Sequence, residues 1–451
     1  MQYFNGNSFF DALTVKAENN NRIDPADFDR YHVMRGLRNK NGTGVLVGLT
    51  EIANVHGYTL VDNKKVPAPG KLYYRGIDLE DIVRGFQAEN RRGFEETAYL
   101  LLFGELPNLD QLCAFNEMLD ANRYLPKDFT ENMILKIPSR DIMNKLQRSV
   151  LVLYSHDDNP DDTSVRNVLR QSIQMIARFP TIISYGYQAK AHYFERKSLF
   201  IHPPQPEIGT AENILYMIRR DNQYTRTEAE TLDLCMVIHA EHGGGNNSAF
   251  ATHVVSSSGT DTYSAIVAAI GSLKGPKHGG ANNRVKAMID DIKQNCPNWT
   301  NTDLLKDYLM KILRKEAYNG EGLIYGMGHA VYTLSDPRAE LLKEKALELA
   351  LEKDAVDEFN LYLNIERLTI EIFKELKGPD FVISANLDLY SGFVYEMLGL
   401  PEDLYTPLFA AARISGWCAH RIEQIVTDNK IMRPAYLSVS PKAEYRPLSI
   451  R

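Results

Sequence analysis

The sequence has little cysteine, and its four cysteines, Cys113, Cys235, Cys296 and Cys418, are scattered without a Cys-x-x-Cys pair. This spacing argues against a disulfide framework and favours a reducing compartment. The sequence also lacks any apolar run of the ~18 residues needed to cross a bilayer. The first twenty residues hold one lysine and no arginine, so no signal or transit peptide is readable. We therefore expect a cytoplasmic protein that does not enter a membrane.

Excess positive charge is missing as well. The 51 lysines and arginines are outnumbered by 58 aspartates and glutamates, which gives a formal net charge of -7. A nucleic-acid-binding protein normally carries clustered basic charge, so we expect no nucleic-acid partner. If the ligand is an anion, local arginines and histidines must attract it.

Strand signals are thin, whereas helix signals dominate. Short β-branched runs among glycines occur only near the N-terminus, at 42–63 and 70–79. Helical segments bounded by capping residues, glycines or prolines follow at 94–107, 227–245, 261–276 and 335–353. With 451 residues the chain has room for two or three domain-sized units, but no low-complexity linker separates them. We predict a mainly α protein with a small N-terminal β hairpin or two, in which any second domain is an insertion.

The segment "HAEHGGGNNSAF" (239–250) places a histidine directly before three glycines. Thr227 and Glu230 predict a capping box for the preceding helix, which we expect to end near His242. Three interpretations remain open. His242 could interact with the helix C-terminal dipole, or His239 and His242 could bind a metal if a third ligand exists. The third, a phosphate-binding loop, is the weakest interpretation, because the glycines match neither GxxxxGK[ST] nor GxGxxG.

A second histidine–glycine segment, "GPKHGGANN", places His278 between a helix stop and a helical run at 281–293. A position near a helix N-terminus disfavours the imidazolium, so the ring can stay neutral and donate a hydrogen bond to a carbonyl. The alternative is an ordinary turn histidine.

The segment "YGMGHAVYTLSDPR" (325–338) brackets His329 with Gly326 and Gly328, which permit close approach of the backbone to a ligand. Arg338 falls in the first turn of the next helix, where a cation opposes the macrodipole at a cost of ~0.3–1 kcal/mol. Either an anion binds at that helix start, or Arg338 pairs with Asp336 or Glu340 on a solvated face.

Two further residues could carry chemistry. Asp388 lies between two leucines in "NLDLYSGFVYEMLGLP", and apolar neighbours raise a carboxylate's pKa toward the range of a general base. Helix capping is the alternative for Asp388. Arg413 interrupts the apolar run "TPLFAAARISGWCA", and a buried guanidinium needs an anionic partner, from elsewhere in the fold or from a substrate. Three histidines, one carboxylate and these arginines suit the enolisation of a carbonyl compound and the binding of a polycarboxylate.

These segments resemble the citrate synthase family. "HAEHGGGNNSAF", "LKGPKHGGANN", "GMGHAVYTLSDPR" and "NLDLYSGFVYEMLGLP" are similar to that family's sequence blocks, in the same order and at approximately the same spacing. The resemblance extends from "GLTEIANV" and "GKLYYRGIDLEDI", through "FEETAYLLLFGELP", to "RISGWCAHRIEQ" near the C-terminus.

The resemblance implies three catalytic residues. His278 matches the histidine that donates a hydrogen bond to the thioester carbonyl of acetyl-CoA. Asp388 matches the base that removes the methyl proton. His329 matches the histidine that polarises the oxaloacetate carbonyl.

The resemblance also implies binding residues. His242, Arg338 and Arg413 match oxaloacetate ligands, and Arg433 in "IMRPAYL" matches an arginine supplied by the other subunit. The segment expected to meet the adenine of CoA is Ile324, Tyr325, Gly326 and Met327. Two departures occur: Leu387 stands where the family often has valine, and no basic residue follows Tyr332, so contacts to the CoA phosphates stay unassigned.

The implied fold is a two-domain helical one, with a large domain formed by 1–279 and 389–451 and a small domain, 280–388, inserted in it. Family members form homodimers or larger assemblies with the active site in the interdomain cleft, and they need no metal or redox cofactor. The nearest alternative is a 2-methylcitrate synthase that uses propionyl-CoA. An alternative of another class is a metal-dependent hydrolase built on His239 and His242.

Overall fold

The structure, a computed structural model, describes residues 8–62, 64–427 and 430–450. Residues 1–7, part of the segment inspected for a leader, and Asn63, the end of the first predicted strand segment, lie outside the described residues. The chain divides into two compact units, Met1–Leu49 with Leu60–Val66, and Thr50–Thr59 with Pro67–Arg451. The predicted division into 1–279 with 389–451 and 280–388 stays a prediction.

The first unit contains two short helices, α1 (Ser8–Asn20) and α2 (Pro25–Arg30), and a 3₁₀ turn at Arg35–Leu37. Two local features set the start of helix α2. The Asp24 side chain accepts the Ala26 N–H at 2.8 Å, and proline occupies the first helical position.

A small sheet follows in the chain. It consists of β1 (Ala53–Val61), β2 (Lys64–Tyr74) and β3 (Ile77–Asp78), in the order β1-β2-β3. Strands β2 and β3 pair antiparallel, with Tyr74 opposite Ile77. The predicted N-terminal hairpin is therefore confirmed.

The second unit is helical. Its α-helices are α3 (Leu79–Ala88), α4 (Phe94–Phe103), α5 (Leu109–Asn122), α6 (Ile142–Tyr154), α7 (Val165–Glu195), α8 (Thr210–Ile218), α9 (Arg226–His239), α10 (Asn247–Ser256), α11 (Thr262–Lys274), α12 (Ala281–Asn295), α13 (Thr302–Leu313), α14 (Pro337–Glu352), α15 (Val356–Lys377), α16 (Leu387–Met397) and α17 (Tyr405–Thr427). The described residues also form a π-helix at Thr130–Leu135 and 3₁₀-helices at Glu402–Leu404 and Leu448–Ile450. The predicted mainly α class is confirmed. In the part of the chain that is described, every helix is too short or too polar to cross a bilayer.

Most predicted helix ends agree with local capping chemistry. Asp261 accepts the Ser264 N–H at 2.8 Å at the start of α11. Asp336 caps α14, with proline at its first position. Gly104 ends α4 in the left-handed conformation with φ 84°.

The start and end of α9 differ from the prediction. Thr225 and Glu228 form the capping box, because Glu230, assigned to that role from the sequence, pairs instead with Arg226 and Lys345. The helix ends at His239, three residues before the expected His242.

Helix α17 runs through the core, and most of its residues are buried, including Trp417 and Cys418. It contacts α4, α7, α9, α10 and α11. A polar side chain on such a helix is desolvated from all sides, which sets the environment of Arg413.

Candidate active site

Six of the candidate residues converge where α9, α14, α16 and α17 approach the loops beside them. The rings of His242 and His329 lie 5.2 Å apart between their centroids. The ring of Tyr332 lies against both, with its centroid 5.6 Å from that of His242 and 4.7 Å from that of His329. The guanidinium carbon of Arg338 lies 5.5 Å from the centre of the Tyr332 ring. The charges of His278 and Arg413 also act on the His242 ring.

His242 lies in the loop after α9, and the side chain of Glu241 holds its backbone. Its N–H donates to the carboxylate of Glu241 at 2.8 Å. Burial, followed by the positive charge of Arg338, holds the pKa of His242 well below its usual value. Its Nε2 is buried and lacks a hydrogen-bond partner within the described residues. A neutral imidazole with an unused buried nitrogen suits a hydrogen-bonding ligand.

His278 lies in the turn between α11 and α12, as predicted. Its Nε2 is 3.1 Å from the Ser248 hydroxyl oxygen, which also accepts the indole N–H of Trp417 at 3.0 Å. Burial, with a contribution from Arg413, lowers the pKa of His278 to about 4. The ring is therefore neutral at pH 7, as expected from the sequence, with burial as the largest cause and Arg413 as the next.

His329 lies in the loop before α14. Its Nδ1 accepts the backbone N–H groups of Val331 and Tyr332 at 3.1 and 3.2 Å. A neutral ring whose Nδ1 is an acceptor carries its proton on Nε2. The other ring nitrogen of His329 is therefore a donor, which is the form that can polarise a carbonyl oxygen.

Arg338 pairs with Asp336, one of the two alternatives that the sequence left open. Its Nε donates to Oδ1 at 3.0 Å and a terminal nitrogen donates to Oδ2 at 2.7 Å. The pair is not on a solvated face, because Arg338 is 6% exposed and Asp336 is fully buried. Asp336 thus fixes one edge of the guanidinium and leaves its remaining N–H groups for another anion.

Asp388 lies in the first turn of α16 but does not cap the helix. The cap is Asn386, whose side-chain oxygen accepts the Asp388 N–H at 3.0 Å. Asn386 also donates to the Gly328 carbonyl at 2.8 Å, which ties the start of α16 to the loop of His329. Burial raises the pKa of Asp388 to about 6, against the lowering effect of Arg338. The apolar setting inferred from the sequence therefore has the predicted effect on this carboxyl group.

Arg413 is fully buried in α17. Its Nε donates to the His239 carbonyl at 2.7 Å, and its guanidinium stacks over Phe409 at 4.8 Å. Both terminal nitrogens are buried and lack a hydrogen-bond partner in the described part of the chain. Burial lowers the pKa of Arg413 only to about 10, so the group stays charged at pH 7. It is costly to leave two buried donors of a cation without hydrogen bonds, so an anionic ligand fits there.

Comparisons with known proteins identify the family of this chain. The family model "Citrate synthase, C-terminal domain" matches residues 40–435. The chain belongs to the citrate synthase family. The citrate synthase of Haloferax volcanii is 33% identical over 406 residues, covering 89% of this chain and 95% of that protein. The 2-methylcitrate synthase of Shewanella oneidensis is 31% identical over 389 residues, covering 86% of this chain and 93% of that protein.

Solved structures of the family have the same fold. The citrate synthase of Thermoplasma acidophilum, described as a ternary complex with carboxymethyl coenzyme A and oxaloacetate, is 27% identical with a TM-score of 0.74. The match covers 90% of this chain and 97% of that one. The citrate synthase of Thermotoga maritima is 29% identical with a TM-score of 0.71, covering 91% of this chain and 99% of that one.

Arg433 does not join the cluster within one chain. It lies in the segment after α17, its side chain is exposed, and it has no hydrogen bond or ion pair among the described residues. The segment expected to meet CoA, 324–327, lies closer to the site. Its Met327 pairs with Ala385 in an isolated β-bridge, just before α16. Ile324 is buried, and Gly326 accepts the Asn386 N–H at 2.9 Å. Tyr325 donates its hydroxyl to Glu321.

The metal-dependent alternative needs a third ligand beside His239 and His242. His239 is buried with its Nδ1 2.7 Å from the Cys235 carbonyl, and burial lowers its pKa to about 3. Within the described ranges, the group of three side chains placed closely enough to hold a cation consists of His253, His420 and Glu423, which includes neither His239 nor His242.

Sequence reasoning missed several residues that hold the site. Ser248 and Tyr332 were inside the quoted segments, but Ser248 lies 30 residues before His278, the histidine that its hydroxyl contacts, and Tyr332 contacts His242 and His329 through its ring. Asn386 was readable as a cap because it precedes the helical run of α16. Glu241 and His420 gave no such signal, because their partnership joins distant parts of the chain.

Proposed function

We propose that the protein condenses acetyl-CoA with oxaloacetate and hydrolyses the resulting citryl-CoA to citrate and CoA. The observation that carries this proposal is the buried Arg413, whose terminal nitrogens have no partner in the described chain, near a neutral His242 and the buried Arg338. Such a set suits a dicarboxylate. Family membership and the named relatives support the same reaction.

In this proposal the carbon nucleophile forms by general acid–base catalysis. The Asp388 carboxylate takes a proton from the acetyl methyl group, while His278 donates a hydrogen bond to the thioester oxygen as charge develops there. A pKa of about 6 supports this role, because Asp388 is ionised at pH 7 but more basic than an ordinary aspartate.

The enol carbon then attacks the ketone carbon of oxaloacetate. His329 donates its Nε2–H to the ketone oxygen and stabilises the alkoxide that forms. Arg413, Arg338 and His242 hold the two carboxylates, and paired guanidinium contacts fix the ketone relative to the nucleophile. Water then cleaves the thioester, releasing CoA as a thiol. This chemistry uses only carboxylate, imidazole and guanidinium groups, so we propose that no metal or redox cofactor takes part.

The test follows free thiol after mixing the purified protein with oxaloacetate and acetyl-CoA. We expect oxaloacetate-dependent release of CoA, and a loss of about 10²–10⁴-fold in kcat for Asp388→Asn, the range for a positioned acid–base group. Asp380→Asn is the control, since Asp380 lies in the exposed turn before α16. Thiol release that survives in Asp388→Asn with native circular dichroism would refute the role of Asp388.

A second candidate is the same reaction with propionyl-CoA, because a 2-methylcitrate synthase is among the relatives at 31% identity. One additional methylene in a pocket discriminates by only ~1–3 kcal/mol, and both reactions would use the same catalytic residues. The ratio of kcat/KM for the two acyl-CoA substrates decides between them. We expect acetyl-CoA to be preferred, and a higher value for propionyl-CoA would reverse the assignment.

We further propose a cytoplasmic homodimer in which Arg433 of one subunit reaches the oxaloacetate site of the other. The free state of all four cysteines supports a reducing compartment. Exposed apolar side chains in the segment around Arg433, including Ile431, Tyr436 and Leu437, support a subunit contact there. The segment Ile324–Met327 is proposed to meet the adenine of CoA.

A further inference from the structure

A buried group of charged and polar side chains lies behind the proposed oxaloacetate site. Glu241 and His420 are both fully buried, and His420 Nε2 lies 3.1 Å from a carboxylate oxygen of Glu241. The same oxygen of Glu241 accepts the backbone N–H of His242. The pair therefore contacts the backbone of His242, a residue proposed to bind the substrate. Neither Glu241 nor His420 has a role in the reaction described above.

The neighbours of His420 favour a protonated ring. His253 Nδ1 lies 2.9 Å from the side-chain oxygen of Gln424, an acceptor, so it must donate there. His253 Nε2 is then the acceptor for His420 Nδ1, at 3.0 Å. His420 Nε2 lies 3.1 Å from the Glu241 carboxylate, an ion-pair contact rather than an aligned hydrogen bond. An imidazolium fits both contacts, because Nδ1 then donates to His253 and Nε2 lies beside an anion.

The surrounding charges agree with that state. The Glu241 carboxylate, and then Glu423 with an oxygen 3.6 Å from His420 Nδ1, hold the pKa of His420 above its usual value despite burial. His420 in turn holds the pKa of Glu241 below its usual value. The buried carboxylate is thus ionised and matched by one cation.

The position of Glu241 makes this matching relevant to substrate binding. A Cβ atom at Gly416 would lie 2.1 Å from the second carboxylate oxygen of Glu241, so that oxygen packs directly on the backbone of α17. Arg413 lies one helical turn before Gly416, and the charges of Glu241 and Arg413 act on each other. Without a cation of its own, Glu241 would compete with oxaloacetate for the unpaired nitrogens of Arg413 and would repel the substrate's carboxylates.

We propose that His420 is a positioning residue that neutralises the buried Glu241 carboxylate, keeping Arg413 and His242 available for the carboxylates of oxaloacetate. This inference rests on the proposed function and adds a second layer of residues to the same site. It predicts that the charge of His420 is needed only because Glu241 is ionised.

A double-mutant cycle tests that dependence. His420→Gln keeps a donor toward Glu241 but removes the charge, and we expect the KM for oxaloacetate to rise about ten-fold or more, the scale of a coupled buried charge pair. The KM for acetyl-CoA should change little. Adding Glu241→Gln to His420→Gln should remove most of that rise in the KM for oxaloacetate, and Glu241→Gln alone completes the cycle. His192→Gln, at an exposed histidine on α7, is the matched control.

The outcomes separate this inference from the proposed function. A wild-type protein without oxaloacetate-dependent CoA release refutes the function. An active wild type in which His420→Gln leaves the KM for oxaloacetate unchanged, or in which the double variant is as impaired as His420→Gln, refutes the inference. If His420→Gln does not fold, ¹⁵N-histidine spectra replace it: we expect an imidazolium signal in the wild type at neutral pH that is lost in Glu241→Gln. A signal from neutral rings only, or a stoichiometric divalent cation bound by His253, His420 and Glu423 in the purified protein, would overturn the assignment.

Discussion

At the scale of single residues, burial moves the pKa values of the two proposed proton-handling groups in opposite senses. It raises the pKa of Asp388 to about 6 and lowers that of His278 to about 4. At pH 7 the carboxylate is ionised and the imidazole is neutral, so each group is in the form that the proposed enolisation requires. Arg338 opposes the effect on Asp388, because it stabilises the charged carboxylate.

The pH dependence follows from these directions. Only the ionised Asp388 accepts a proton, so kcat/KM for acetyl-CoA should fall as the pH drops through about 6. His278 should add no further loss until about pH 4. The measurement is the initial rate across this range at constant ionic strength, with activity re-assayed at neutral pH to exclude unfolding. A profile that stays flat well below pH 6 would contradict the assignment of the base.

Ser248 offers a second test at this scale. Its hydroxyl contacts His278 Nε2 and orients the ring, so Ser248→Ala should lower kcat about ten-fold, the equivalent of one net hydrogen bond, and leave the KM for oxaloacetate nearly unchanged. Ser258→Ala is the control, since that hydroxyl is exposed and bonds only to the Val255 carbonyl. An equal effect of both substitutions would show that the contact with His278 is not used.

At the scale of elements, the proposed base and the proposed carbonyl-polarising histidine are held together by one loop–helix contact. The loop before α14 reaches the start of α16 through Gly326 and Gly328, whose φ values are 84° and 87°. A Cβ atom at Gly326 would lie 2.9 Å from the Cα of Leu389, directly after Asp388, whereas one at Gly328 would meet only the Ile383 side chain at 3.7 Å. The two glycines thus share a backbone conformation but differ in available space.

Comparing alanine at the two positions separates these effects. Gly328→Ala should cost about 1–2 kcal/mol of stability from its left-handed conformation, with kcat largely preserved. Gly326→Ala carries the same strain and also pushes on α16, so it should lower kcat at least ten-fold in addition, because a displacement of about 1 Å at the reacting groups is costly. Thermal unfolding and steady-state kinetics on both variants provide the measurement. Equal kcat values in the two would show that the position of α16 does not limit the reaction.

At the scale of the whole molecule, the exposed Arg433 predicts that one chain alone lacks part of its site. If Arg433 acts in the partner's site, then Asp388→Asn and Arg433→Leu homodimers should both be nearly inactive. A mixed dimer regains one intact site, so an equimolar mixture after subunit exchange should recover about a quarter of the wild-type activity, by counting of a twofold-symmetric dimer. Absence of recovery, despite mixed dimers shown by native mass spectrometry, would place Arg433 outside the site.

Local features of the chain were predictable from the sequence because they depend on neighbours along it. The caps at Asp261 and Asp336, the stop at Gly104 and the N-terminal hairpin all follow from side chains that reach their own backbone. The same reasoning failed at α9, where Thr225 and Thr227 each precede a glutamate by three residues. Long-range ion pairs decide between them: Arg219 and Lys353 hold Glu228, and Lys345 draws Glu230 away.

The helical class, the family resemblance and the identity of the candidate residues follow from residue types and their order along the chain. The tertiary structure alone decided how those residues meet. It left Arg413 with two buried donors and no partner among the described residues, made Asn386 the cap in place of Asp388, and brought His420 against Glu241. Desolvation and charge pairing depend on which distant segments exclude water from a group, and spacing along the chain carries no record of that.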